Sequence, residues 1–446
     1  MNPQPDQLDR NRWLALYVLC AGVLMIVLDI TIVNVALPSI QDDLGFSQSQ
    51  EMLIGARFIQ GIGGALTSAV VLGMIVTMFP EPREQAKAIG VYGFVASAGG
   101  SIGLLLGGVL TEAINWHWIF FINLPVGIAT ALATRRLVPD REGLGIAEGA
   151  DVPGALLITA SLMLGTYTIL EVSEVGWLAT QTLILGAISL ALGAAFITRQ
   201  ARIPNPLMPL RLFRSRNVSG ANALQALLVA GMFAMFFLGA LYLQEILGYD
   251  ALEVGLAFLP TTLVMGTLSL GFSEKLIMRF GPRRTLIPGL VMIAVGLLLF
   301  ARTPVDGVFV TDVLPPLLLV GLGVGTSFPS LMTLAMSGAT PQDSGLASGL
   351  VNTTAQVGGA IGLAILATLA TGRTDDLEAA GTAHEAALNS GFHLAYLVGA
   401  GLVAIAVVIA VVVLREVDPA AAHGAPQEGA DEGEPTGDPE PIYSEA

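Results

Sequence analysis

The sequence predicts an all-α integral membrane protein, a bundle of twelve spans with both termini on the cytoplasmic side. Three observations carry that expectation. Of 446 residues, 54% are hydrophobic and only 12% charged, about half the charge of an ordinary soluble domain. The apolar residues come in runs of 18 or more, long enough to cross a bilayer as helices. The basic residues then alternate from loop to loop as the spans are counted. A β-barrel is excluded, because the runs are too long and do not alternate polar with apolar.

The spans are read at 13–34, 52–79, 86–111, 118–136, 152–171, 178–198, 218–242, 253–275, 284–301, 310–336, 345–371 and 392–414. With the N-terminus inside, 17 of the 20 Lys and Arg residues fall in inner segments, as cytoplasmic loops require. Arg302 and Arg373 fall outside, and Arg57 lies within a span. A miscounted helix would flip every later loop and spoil the partition. Residues 1–12 form a short cytoplasmic N-terminus. The first apolar run is long enough to span and no small-residue cleavage site closes it, so no cleaved signal is expected.

Between spans, residues 199–217 form a basic cytoplasmic loop with Pro204, Pro206 and Pro209. Residues 416–446 form an acidic tail expected to be disordered, rich in Pro and Gly with little to bury. Nine acids and no base from Glu416 to Glu445 account for much of the net charge of −15, leaving −6 for residues 1–415. The acidity therefore says nothing about a substrate. Cys20 is the single cysteine, which excludes a disulfide framework, a thiolate zinc cage and an iron–sulfur cluster. Small residues recur on helix faces, as at Gly61, Gly63 and Gly64 and from Gly345 to Gly362, where they let helices approach closely in lipid.

Charge at membrane depth is expensive and marks function by default. Asp29, in VLDITIVNVALP, sits in the outward part of the first span, with Thr31 and Asn34 near it. Arg57, in LIGARFIQGIGG, enters the second span at a comparable depth, and Gln60 lies one turn on. The plainer alternative is that Asp29 and Arg57 neutralise each other or sit at the interface as helix-end charges. The four histidines show no metal-ligand spacing. No phosphate-binding glycine loop with a following lysine appears, so the chain carries no ATP motor. No cofactor, metal or nucleic-acid partner is expected, and the chain is read as a monomer that is not an enzyme. Uphill transport would draw on an ion gradient, which selects a secondary transporter and leaves a channel or scaffold open.

Several segments resemble the major facilitator superfamily, in particular its drug:proton antiporters with fourteen spans. Leu28-Asp29-Ile30-Thr31-Ile32-Val33-Asn34-Val35-Ala36-Leu37-Pro38 resembles the first-helix motif of that branch. Arg57-Phe58-Ile59-Gln60-Gly61 is similar to the fourth-helix motif, whose arginine is implicated in proton coupling. Gly99, Gly103, Gly107 and Gly108 follow the fifth-helix antiporter motif, with Leu104 where the family usually has proline. Trp116 to Pro125 resembles the turn that follows. Tyr242 to Tyr249 and the run from Gly345 to Gly362, with Asn352 and Gln356, are similar to the same branch. Arg279-Phe280-Gly281-Pro282-Arg283 resembles the second-half copy of the cytoplasmic gating loop, with Met278 in place of its aspartate. The resemblance implies proton-coupled efflux of a hydrophobic or cationic drug across the cell membrane, with antibiotic resistance as the consequence. Asp29, Arg57, Asn34 and Gln60 would be the coupling residues.

One departure stands out. The family has two further helices and a basic gating loop after the first span, whereas here DDLGFSQSQ runs directly into EMLIGARF. The resemblance therefore implies a first half of four spans (13–136), two extra central spans (152–198) and a second half of six (218–415). The alternatives are a transport-inactive truncated remnant, a membrane scaffold and a small-metabolite permease. If the truncation is real, the first two spans should pack as neighbours, Asp29 should face Arg57, and a void should lie beside them. The 16 residues from Ala36 to Glu51 are expected to link them.

Overall fold

The computed structural model describes residues 5–44, 49–137, 151–204, 206–337 and 343–417, and these are almost wholly helical. The helices are α1 (Pro5–Leu44), α2 (Ser49–Met78), α3 (Pro82–Ala113), α4 (Trp118–Phe121), α5 (Asn123–Leu137), α6 (Val152–Val175) and α7 (Thr180–Gln200). They continue as α8 (Arg216–Leu241), α9 (Ala251–Thr267), α10 (Ser273–Phe280), α11 (Pro282–Phe300), α12 (Leu314–Met336), α13 (Ser344–Ala379) and α14 (His384–Val412). Among the described residues, eleven helical stretches are long and apolar enough to cross a bilayer. The twelfth expected span, 86–111, lies inside α3, a 32-residue helix that is not one of the eleven.

Several span limits shift, each for a local reason. The first helix does not stop at 34: α1 runs to Leu44, through Pro38. The expected link from Ala36 to Glu51 is therefore mostly helix, and only 45–48 of it lies outside the described residues. The span 118–136 breaks at Ile122 into α4 and α5. Wider π-turns at Tyr242–Ile246 and Leu268–Phe272 extend α8 and join α9 to α10. The tail beyond residue 417, and Arg141 in the third inner segment, lie outside the described residues.

Packing divides the molecule as the small residues direct. In the second half, α11 crosses α12 with glycines on both sides: a Cβ on Gly289 would lie 2.7 Å from the Gly323 carbonyl oxygen. Such crossings bring backbone against backbone, the main attractive force between helices in lipid. Around them α8, α9, α13 and α14 close the bundle. In the first half, α1 packs on α3, α5 and more lightly on α2. The α6–α7 hairpin is tight within itself. The Ser161 hydroxyl donates to the Ser189 carbonyl and the Ser189 hydroxyl to the Ser161 carbonyl, both at 2.8 Å. The hairpin docks through α6 onto α13.

The two halves meet along α3 against α9 and α2 against α13. Several of these contacts cluster toward the end that carries the basic loops. There the Ser269 hydroxyl donates to the Gly90 carbonyl at 2.9 Å, and Arg83 pairs with Glu274 at 2.8 Å. The hydrogen bond to Glu274, and then its charge, raise the Arg83 pKa. Deeper, the buried Tyr92 hydroxyl donates to Asn352 Oδ1 at 3.3 Å, and Asn352 Nδ2 donates to the Ser68 carbonyl at 2.9 Å.

Candidate functional site

The site is built from α1, α2 and the α4–α5 break. Asp29 ends the apolar stretch of α1, Asn11–Asp29, and Arg57 opens that of α2, Gly55–Met78. Eighteen residues separate Asn11 from Asp29, about 27 Å at 1.5 Å per residue. Both charges therefore sit toward one face of a hydrocarbon core about 30 Å thick, not at its midplane.

The geometry brings them together. Arg57 Nη1 donates to Asp29 Oδ2 at 2.6 Å, and to Gln60 Oε1, one turn along the same helix, at 2.6 Å. Asn123 Nδ2 donates to Asp29 Oδ1 at 3.0 Å, so both carboxylate oxygens are held. The Arg57 guanidinium lies over the Phe120 ring, 5.4 Å from its centroid. The Asp29 side chain is 9% exposed and the Arg57 side chain 27%. Pairing and the extra hydrogen bonds offset the cost of removing these charges from water. The arrangement is a carboxylate with a defined donor on each oxygen and a partly open cation beside it.

Asp29, Arg57 and Gln60 are thus brought together as the sequence proposed. Asn34 lies on α1 five residues beyond Asp29, but its side chain is outside the described residues. Thr31 turns back on its own helix, donating to the Val27 and Leu28 carbonyls. Asn123 and Phe120 were missed as site residues, although both lie in the quoted turn from Trp116 to Pro125. Nothing local marks them, because a break at Ile122 is what aims Asn123 back at α1.

The antiporter-motif glycines serve this site from behind. Gly99 faces Val27 and Leu24 of α1, with a Cβ there only 2.9 Å from Val27 Cγ1. A Cβ on Gly103 would collide with Thr31 and sit 3.2 Å from the Leu28 carbonyl oxygen. These two glycines seat the turns of α1 that carry Asp29. Gly107 and Gly108 are buried further along α3.

The gating-loop-like residues lie at the α10–α11 junction, and each makes a different contact. Gly281 takes φ +84° between α10 and α11, a backbone conformation that favours glycine. Arg283 donates from Nε to the Ala410 carbonyl at 3.0 Å and from Nη2 to the Val411 carbonyl, and so caps α14. Arg279 lies over its neighbour Phe280, 5.2 Å from the ring centroid. No group of three or more metal-ligating side chains occurs among the described residues.

This fold, two helical halves meeting on a polar seam with an ion pair inside one of them, is that of a membrane transporter. Residues 44–363 match the Major Facilitator Superfamily, and the chain belongs to that family. It is a multi-pass protein of the cell membrane. It is 34% identical to the puromycin resistance protein pur8 of Streptomyces alboniger, over 82% of this chain and 83% of that one. It is 32% identical to the cephamycin export protein CmcT of Amycolatopsis lactamdurans, over 92% and 93%. The human organic anion transporter MFSD10 shares the fold, with a TM-score of 0.55 at 17% identity, over 90% of this chain and 83% of that one. The puromycin alignment covers 423 positions, whereas 82% of this chain is about 366 residues, so about 57 positions have no residue here. The cephamycin alignment, 467 positions against about 410 residues, leaves about 57 as well.

Proposed function

We propose that the protein is a secondary transporter that expels a hydrophobic or cationic antibiotic-like compound in exchange for protons. The observation that carries this reading is the Asp29–Arg57 pair, held by Gln60 and Asn123 at the partly open end of an apolar span. Relatives with the same family fold are named for resistance to, or export of, antibiotics. In this reading a proton entering from outside takes Asp29 Oδ2 and releases Arg57. The first half then rocks against the second along the α3–α9 and α2–α13 seams. Proton release toward the cytoplasm restores the pair. A cationic substrate that displaced Arg57 would find a counter-charge in the unprotonated Asp29. Both termini lie on the cytoplasmic side, and the working unit is a single chain.

The first half, 13–136, is then two spans short of its relatives, the central pair is 152–198 and the second half is 218–415. About 57 unmatched alignment positions fit two helices of about 20 residues and their loop. The neighbouring α1 and α2 and their ion pair support a join at this point. Among the described residues, what stands beside them is an open face of α2, with Phe58, Ile59 and Ile62 exposed.

A second reading, a transport-inactive chain or membrane scaffold, draws on that same open face. Proteoliposomes separate the readings. With an imposed pH gradient, extrusion of a fluorescent cationic dye that Asp29→Asn abolishes supports proton-coupled efflux. Extrusion unchanged by Asp29→Asn removes that residue from the coupling. No extrusion from correctly inserted protein favours the inactive chain, and uptake alone favours a permease.

A further inference from the structure

A cavity of about 820 Å³ lies between the α6–α7 hairpin and the second half. Its long wall is one face of α13, from Gly345 through Gly349 and Thr353 to Ile365. Twenty residues of helix span about 30 Å. Its other walls come from α6, α7, α8 and Leu402 of α14, and Leu207 and Met208 of the basic loop lie at one end. Only Thr353 and Thr354 bring side-chain oxygen to the lining. Such a surface does not hold water, which needs two to four polar partners.

The shape narrows the occupant. About 820 Å³ runs along about 30 Å of α13, so the slot is elongated as well as apolar. A compact ligand would leave part of that length empty. A hydrocarbon chain fits its length and lining. The loop at its end carries Arg202, Arg214 and Arg216, all exposed and without an ion pair among the described residues. Arg199 and Arg211 of the same segment are already engaged, with Asp151 and Asp343, each at 2.7 Å. Basic residues between membrane helices attract anionic headgroups.

We infer that this slot is a binding site for one anionic phospholipid from the leaflet on the basic-loop side. An acyl chain lies along α13 beneath the hairpin, and the phosphate engages Arg202, Arg214 and Arg216. The lipid fills the wedge that the hairpin leaves by docking through α6. The inference does not depend on whether the chain transports.

The test is to purify the full chain in mild detergent and measure retained phospholipid by native mass spectrometry and lipid extraction. The expected result is about one phospholipid per chain, with anionic over zwitterionic lipid favoured roughly fivefold for each engaged arginine. Gly349 has open space where a Cβ would go, so Gly349→Trp should fill the slot and release the lipid from protein that stays monodisperse. Gly345→Leu, also in open space, is the second variant if the first fails to fold. The triple change Arg202→Gln, Arg214→Gln and Arg216→Gln should keep the lipid and lose the anionic preference. Wild-type protein without lipid, or equal retention in a folded slot-filling variant, overturns the site. An undiminished anionic preference in the triple variant overturns the headgroup assignment. Displacement of the lipid by a cationic efflux dye at micromolar concentration would make this a drug site and overturn the lipid reading.

Discussion

The two halves use the same small residues to different ends. In the second half, Gly289, Gly296, Gly323 and Gly325 each meet neighbouring backbone at about 3 Å or less where a Cβ would stand. In the first, Gly55, Gly61 and Gly63 of α2 meet nothing within 4 Å. Ile59 and Leu66 on the same helix are about 70% exposed, and α5 has no buried residue. The contrast follows position rather than composition. The part of α2 toward Met78 is packed, with Leu72, Ile75 and Phe79 fully buried and Gly73 against Ser344 and Gly345 of α13. The stretch from Gly55 to Val70, which follows the proposed join with α1, is largely bare. In lipid a glycine face stabilises nothing until a second helix lies on it.

The sharpest way to break this contrast is a matched pair of substitutions. Gly289→Val forces branches into the α11–α12 crossing and should cost about 1–3 kcal/mol or more, the range for overpacking. Gly61→Val should stay within about 0.5 kcal/mol, as surface changes do. Thermal unfolding in detergent reads both. Equal losses would mean that something covers α2 in the assembled protein.

A smaller loss is expected at the ion pair, which is the first half's own fastening. Arg57→Leu leaves Asp29 with the Asn123 amide but without its counter-charge. Removing one partner of a fully buried pair costs about 3–5 kcal/mol, and the partial exposure of Arg57 brings the expected loss below that. Asp29→Asn keeps an amide for Arg57 and Asn123 to contact and should melt close to wild type while losing pH-dependent transport. Combining Arg57→Leu with Asp29→Asn should recover most of the stability. No recovery would mean that Arg57 acts through Gln60 and Phe120 instead.

The hairpin gives a pH test. Asp151 caps α6 by accepting from the Gly154 amide, and it holds Arg199 and Gln200 of α7. Burial alone would raise its pKa, but these donors outweigh it and hold the carboxyl below its usual value. A depressed folded-state pKa stabilises the protein above the unfolded value, and that stability is lost as pH falls through the folded one. Loosening of 151–200 in hydrogen exchange should therefore begin only below about pH 4, the ordinary aspartate value. Asp151→Asn should remove that acid step while mildly loosening the hairpin at neutral pH.

The smallest effect is expected at Arg83 and Glu274, where the halves touch at the surface. Arg83 is 75% exposed, so salt screens the pair. Arg83→Gln should shift the balance between open and closed seams slightly, as read by cysteine cross-linking, with the difference vanishing in high salt. A large shift at any salt would make this contact the principal latch between the halves.

Much of this was legible in the chain because lipid enforces a simple code. A helix must be apolar for about 20 residues to span, and a charge inside it must find a partner. Those rules sufficed for eleven of the twelve expected spans and for a pairing of the Asp29 charge with the Arg57 charge. The same rules are silent about what lies across a helix face. They gave no role to Asn123, which reaches Asp29 only because the chain breaks at Ile122. They did not separate Gly358 and Gly362 of α13, which meet the α8 backbone, from Gly61 and Gly63 of α2, which meet nothing, since both sets read as small-residue stripes. Nor did they foresee that Arg283 would cap α14, a contact between positions 127 residues apart in sequence. Apolar helices and buried charges are properties of each segment and its solvent, so sequence determined them. Which stripe is covered, which carboxylate is held twice and where a slot stays open depend on pairs of distant segments, and only the tertiary structure decided those.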